Sequence, residues 1–202
     1  MPRVAGQIDR AKTEAILEAT AEAIYTRGLG VSVDEIARRA GVSKQTIYNH
    51  YGSKADLVRS LIENRAATIT APLEVPGALE FPEAALAAYA RALLGIIAFP
   101  RGVVLFRLII ANVGADPDLA RSVFKASARA SRARLADFLE REAKSGRMAI
   151  SDPMEAADFF AGMVVGQHQL AGLLGLESEL TPARIERIAT EAARRFMRAY
   201  RP

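Results

Sequence analysis

Apolar residues recur every three or four positions along most of this chain, and the strict alternation of a half-buried strand is absent. That period belongs to amphipathic helices, so the expected fold is all-α with about nine helices. Over residues 9–27 the inner face is Ile16, Leu17, Thr20, Ala23 and Ile24, and Gly28 ends the run. Two short helices come next, and a fourth starts at Ser53, turns Leu57, Leu61 and Ile62 inward and stops at Pro72. Residues 72–82, with Pro76 and Gly77 among them, read as a linker or loop. Pro82 opens a helix with Leu86, Tyr89, Leu93 and Ile97 on one face. Pro100-Arg101-Gly102 reads as a break before a short apolar helix at residues 103–113, which carries Phe106, Ile109 and Ile110. Asp116-Pro117, Asp152-Pro153 and Thr181-Pro182 each pair a capping side chain with a proline at the first helical position. They start a long basic helix lined by Phe124, Leu135, Phe138 and Leu139, an apolar helix over residues 154–174, and a last helix with Ile185, Ile188, Ala192 and Phe196 inward.

The densest signal lies between Ser32 and Lys54. Ser32 with Glu35 three residues later has the form of a capping box, so a helix begins there with Ile36, Ala37 and Ala40 as its apolar stripe. Gly41 permits the left-handed backbone of a sharp turn. Ser43 caps a second helix whose Ile47 and Tyr51 face inward, leaving Lys44, Gln45, Tyr48 and Asn49 outward. Two short helices about a tight turn, the second with a polar face, form a helix-turn-helix. Amides at Gln45 and Asn49 suit base edges, adenine above all. Lys44 and Lys54 sit where helix N-termini already favour phosphate oxygens, and Ser32, Thr46, Tyr48 and His50 are further candidate contacts to DNA. Thr46 and His50 serve equally well as packing or bonding groups within the head, and Tyr51 suits the core. Arg3 and Arg10 lie in or beside an N-terminal arm that is either a groove contact or a frayed end.

The run Ile36-Ala37-x-x-Ala40-Gly41-Val42-Ser43-Lys44-x-Thr46-Ile47-Tyr48-x-His50-Tyr51-x-Ser53-Lys54-x-x-Leu57 resembles the N-terminal domain of the TetR (tetracycline-repressor) family of regulators. This likeness covers about the first 65 residues, and it departs from the family's usual pattern at Gln45, often Gly or Pro there, and at Tyr51, often Phe. Residues 99–175 are similar to the AefR-like group of C-terminal regions. The resemblance implies a DNA-binding head at residues 1–52 and a ligand-sensing, dimerising body at residues 53–202. It further implies double-stranded DNA, a small-molecule effector and a second copy of the chain as partners. Tyr89, Leu93, Phe106, Ile110, Phe138, Met163 and Gln167 are the candidate ligand contacts that the resemblance implies, although core packing is the default reading of the apolar ones. Asn112, Gln167, His168 and Gln169 are polar groups in apolar company, as an orienting site requires.

The helix over residues 154–174 is apolar around most of its circumference, and Gly162 and Gly166 would let a neighbouring helix approach. The resemblance implies that it and the last helix pair with their copies, making Phe159, Gly162, Met163, Gly166, Ile188 and Phe196 the candidate dimer interface.

Composition narrows the classes. The chain has 202 residues, half hydrophobic and a quarter charged, enough for one or two small domains with a substantial core. It has no cysteine, which excludes disulfides and thiolate chemistry, and its two histidines fall in different domains, so no metal or cofactor is expected. A net charge of +4 suits a polyanionic partner. No run reaches the roughly 18 apolar residues of a membrane span and no secretory signal is evident, so the expected location is cytoplasmic. Phosphate-binding, zinc-protease and nucleophile-elbow motifs are absent, and the chain is not expected to be an enzyme. The leading expectation is a ligand-released repressor acting on a palindromic operator. Its alternatives are a ligand-independent activator or architectural DNA-binding protein, and a helical enzyme that keeps the head as a scaffold.

Overall fold

The computed structural model describes residues 10–98 and 100–202, and these form helices without a strand. Arg3 lies outside the described residues. Packing groups the chain into two units, residues 1–64 with 104–123 and residues 65–103 with 124–202. Helices α4 (Lys54–Thr70) and α6 (Pro100–Ala111) each contribute residues to both units.

The first unit holds α1 (Arg10–Arg27), α2 (Val33–Ala40), α3 (Lys44–Tyr51), the start of α4, the end of α6 and most of α7 (Pro117–Phe124). The expected stripe of α1 is buried throughout, and Thr20 is tolerated there because its hydroxyl donates to the Ile16 carbonyl at 2.6 Å. Ile36, Ile47, Leu57 and Ile62 complete this core, and burial of each such side chain is worth about 1.5–3 kcal/mol.

The second unit is built on α5 (Pro82–Ala98) against α11 (Pro182–Ala199) and α8 (Ala130–Lys144) against α9 (Pro153–Val165), with the short α10 (His168–Leu173) beside α5. A line of aromatic rings runs through its core. Tyr89 and Phe160 lie 6.1 Å apart, Phe160 and Phe196 5.0 Å, and Phe196 and Tyr200 4.6 Å. The Tyr89 hydroxyl shares a 2.9 Å hydrogen bond with Ser131, which satisfies both polar groups inside an apolar cluster. Glu142 is fully buried and takes both Nε and Nη2 of Arg147, at 2.8 and 2.9 Å, closing the turn after α8.

Four sequence expectations change. The helix opened by Pro82 does end at Ala98, but Pro100-Arg101-Gly102 is the first turn of α6 rather than a linker before it, because a proline there forfeits no helical hydrogen bond. Gly102 is required at its place, since a Cβ would come within 2.7 Å of the Ile96 carbonyl oxygen. The long basic helix runs without a gap because a π turn at Lys125–Arg129 joins α7 to α8. The extra residue of a π turn rotates the helical face after it by about 100° relative to the face before it. Phe124 is therefore out of phase with Leu135, Phe138 and Leu139, and it is exposed rather than inward. Finally, residues 154–174 are two helices, because Gly166 adopts φ 48°, ψ −134° and ends α9.

Candidate nucleic-acid interface

Two caps and one glycine set the geometry of the head. Ser32 keeps an extended backbone and its hydroxyl accepts from the Glu35 amide at 3.2 Å, which starts α2. The capping box is only half made, because the Glu35 carboxylate is taken by Arg38 and Arg39, and both guanidinium groups hold its pKa below the usual range. Gly41 turns left-handed at φ 65°, and the Val42 amide donates back to the Ala37 carbonyl at 3.0 Å. Ser43 then caps α3 by accepting from the Thr46 amide at 3.0 Å, and its hydroxyl also bonds that of Thr46 at 2.8 Å. Ile47 is the buried anchor of α3, which fixes the opposite row outward.

That outward row is Lys44, Gln45, Tyr48 and Asn49, all exposed, with His50 beside them. Of their hydrogen bonds, the one made by Lys44 was not legible from local spacing. Lys44 Nζ donates to Asp34 Oδ2 across the turn at 2.7 Å, and this carboxylate raises the lysine's pKa. Gln45 Nε2 donates to Asn49 Oδ1 at 2.6 Å, so the two amides form one linked group. His50 meets the Tyr51 ring edge-on, with centroids 4.5 Å apart.

Besides Lys44, two more of the expected contacts are committed elsewhere in this state. The hydroxyl of Ser32 is spent on its cap. Lys54 is partly buried and donates to the Leu29 carbonyl, and its desolvation lowers its pKa. Arg10 pairs with Glu14 at 2.9 Å on the exposed start of α1. Asp34 and Leu29 were missed as members of the site, because no helical period relates them to residues ten and twenty-five positions away.

The candidate ligand residues are divided between the two units, Phe106 and Ile110 in the first and Tyr89, Leu93, Phe138, Met163 and Gln167 in the second. Tyr89 and Phe138 are fully buried core, Leu93 and Phe106 half-buried, and Ile110, Met163 and Gln167 exposed. Asn112 and Gln169 are exposed too, and the Asn112 amide donates to the Leu108 carbonyl at 2.7 Å. Of the candidate interface residues, Phe159 is 58% exposed and Met163 44%, with Gly162 and Gly166 open beside them. Ile188 is half-buried. Phe196 has no free surface, because it is packed between Phe160 and Tyr200 inside its own unit.

Comparison with known proteins agrees with this architecture at both ends. Residues 16–61 match the family described as bacterial regulatory proteins, tetR family, and residues 84–202 match the AefR-like transcriptional repressor C-terminal domain. A solved protein described as the flavonoid-responsive regulator FrrA is 33% identical, with 95% of this chain and 97% of that one covered at a TM-score of 0.69. A TetR-family regulator from Mesorhizobium loti is 26% identical over 96% of this chain and 100% of its own, with a TM-score of 0.74. A TetR regulator from Agrobacterium tumefaciens shares the fold at 21% identity and a TM-score of 0.76, with 96% of each chain covered. With a capped helix-turn-helix at one end and the AefR-like region filling most of the rest, the chain belongs to the TetR family and is a DNA-binding transcriptional regulator.

Proposed function

We propose that the protein is a repressor that binds a palindromic operator as a homodimer and is released by a small apolar or amphipathic ligand. The observation that carries DNA reading is the outward row of α3, where lysine, two amides and a phenol share one exposed face. A helix of this kind enters a major groove. There Gln45 and Asn49 meet base edges, while Lys44, Thr46, Tyr48 and His50 serve phosphates. Lys44 exchanges Asp34 for a phosphate on binding, and Lys54 reaches one only by leaving the Leu29 carbonyl. Two copies place their recognition helices about 34–36 Å apart, or a multiple of that spacing, which makes the operator symmetric.

The pairing surface we assign to the exposed apolar face of α9, Phe159, Gly162 and Met163, with Gly166 at its end and Ile188 of α11 at its margin. Apolar side chains this open on a helix favour cover by a second copy. The effector would act by binding more tightly to a dimer whose recognition helices no longer fit the operator spacing, since only a difference in affinity shifts the balance. The candidate contacts we carry forward for it are those of the second unit, Tyr89, Leu93, Phe138, Met163 and Gln167. A flavonoid is the first probe to try, because the relative at 33% identity is described as responsive to flavonoids.

Genomic fragments captured by the full chain supply the test. The recovered fragments should share an inverted repeat, and a flavonoid should release them while bound operator weakens flavonoid binding by the same factor. Thermal stabilisation by the flavonoid with no change in operator affinity would remove the ligand switch and leave a ligand-independent DNA-binding protein.

A further inference from the structure

Gln45 and Asn49 lie one turn apart on the exposed face of α3, and their side-chain amides are joined by a single hydrogen bond, Gln45 Nε2 to Asn49 Oδ1 at 2.6 Å. An amide is polar in opposite senses at its two ends, with an acceptor oxygen at one and a donor NH2 at the other. The link therefore ties the two orientations to each other. With Gln45 donating and Asn49 accepting, Gln45 turns its oxygen away from the link and Asn49 turns its NH2 away from it. Reversing one amide alone would set oxygen against oxygen or nitrogen against nitrogen, so each holds the other's orientation.

We propose that Gln45 is a positioning residue for Asn49, and that the two amides read DNA as one unit with an acceptor end and a donor end. This rests on the reading of α3 as the recognition helix. In the major groove the donor end selects base edges that accept, such as purine N7, guanine O6 or thymine O4. The acceptor end selects edges that donate, adenine N6 or cytosine N4. Asn49 acting alone would be free to present either end, and its base preference would be correspondingly loose. The unit thus supplies selectivity that neither amide has by itself.

The distinguishing variant is Gln45→Glu. A carboxylate can only accept, so Asn49 must reverse to donate its NH2 to it, and the Asn49 oxygen then faces outward. The residue-45 end remains an acceptor in both proteins. Wild type, Gln45→Glu and Gln45→Ala, each as the full chain and checked for helical content, are used to select duplexes from a random library. Base preference is scored at each position, because the added negative charge lowers total affinity for any sequence.

Wild type should favour accepting edges at the base read by Asn49. Gln45→Glu should reverse that preference, by about tenfold, toward adenine N6 or cytosine N4, leaving the base read by residue 45 as it was. Gln45→Ala should flatten the choice at Asn49's base without reversing it. If Gln45→Glu alters only the base read by residue 45, the amides act independently and the proposal is overturned. If wild type selects no sequence at all, the reading of α3 itself fails, and this inference falls with it for a separate and recognisable reason.

Discussion

Before any DNA arrives, Lys44 is paired with Asp34, and that pair sets the sign of a testable effect. Phosphate must displace the carboxylate, and the carboxylate itself repels the duplex. Asp34→Asn removes both obstacles, so affinity for any duplex should rise severalfold in low salt, the gain shrinking as salt screens it. Filter binding against random DNA across a salt series measures this, and an affinity that falls would mean Asp34 positions Lys44 for the groove. Tyr51 makes a second case at this scale. Its hydroxyl is buried without a hydrogen-bond partner, and burial raises its pKa. Removing a polar atom that has no partner should relieve its desolvation, so Tyr51→Phe should stabilise the protein by about 1 kcal/mol in denaturant unfolding. A loss of that size would show that the hydroxyl is bonded in solution.

The helices themselves were largely legible, because their starts are written in side chains that act within four residues. Ser32, Ser43, Asp152 and Thr181 each cap the helix they were expected to cap. What was not legible depends on events that leave the apolar spacing intact. The π turn at Lys125–Arg129 adds one residue to a turn without any special residue type, and so the outward swing of Phe124 has no local signal. Gly166 did carry a signal, but it read as a site for close helix approach when its positive φ makes it a terminator. The pairs Lys44–Asp34 and Lys54–Leu29 depend on tertiary placement, which no period reports.

The structure of α9 also redirects the interface test. A side chain at Gly166 is strained at φ 48° whatever surrounds it, whereas Gly162 lies on the exposed face with open space at its Cβ. Gly162→Leu should therefore keep the helical content and dissociate the proposed dimer in sedimentation at micromolar concentration. An intact dimer would place the interface elsewhere. Two separated heads lose the linked second contact, which is worth on the order of 100-fold or more on a full operator.

At the scale of the molecule, the family is established by both ends of the chain, while the recognition chemistry rests on one face of one helix. That face is where the account is most exposed to refutation. Base contacts carry specificity and phosphate contacts carry affinity for any sequence, so variants at the two kinds of residue must behave differently. The decisive measurement is the affinity of wild type, Asn49→Ala and Lys44→Ala for the selected operator and for random duplex, at several salt concentrations. Asn49→Ala should lose about tenfold on operator and almost nothing on random DNA. Lys44→Ala should lose on both and flatten the salt dependence by about one unit of slope for each phosphate contact removed. Equal losses on operator and random DNA for both variants, or no loss for either, would contradict the assignment of α3 as the helix that reads DNA.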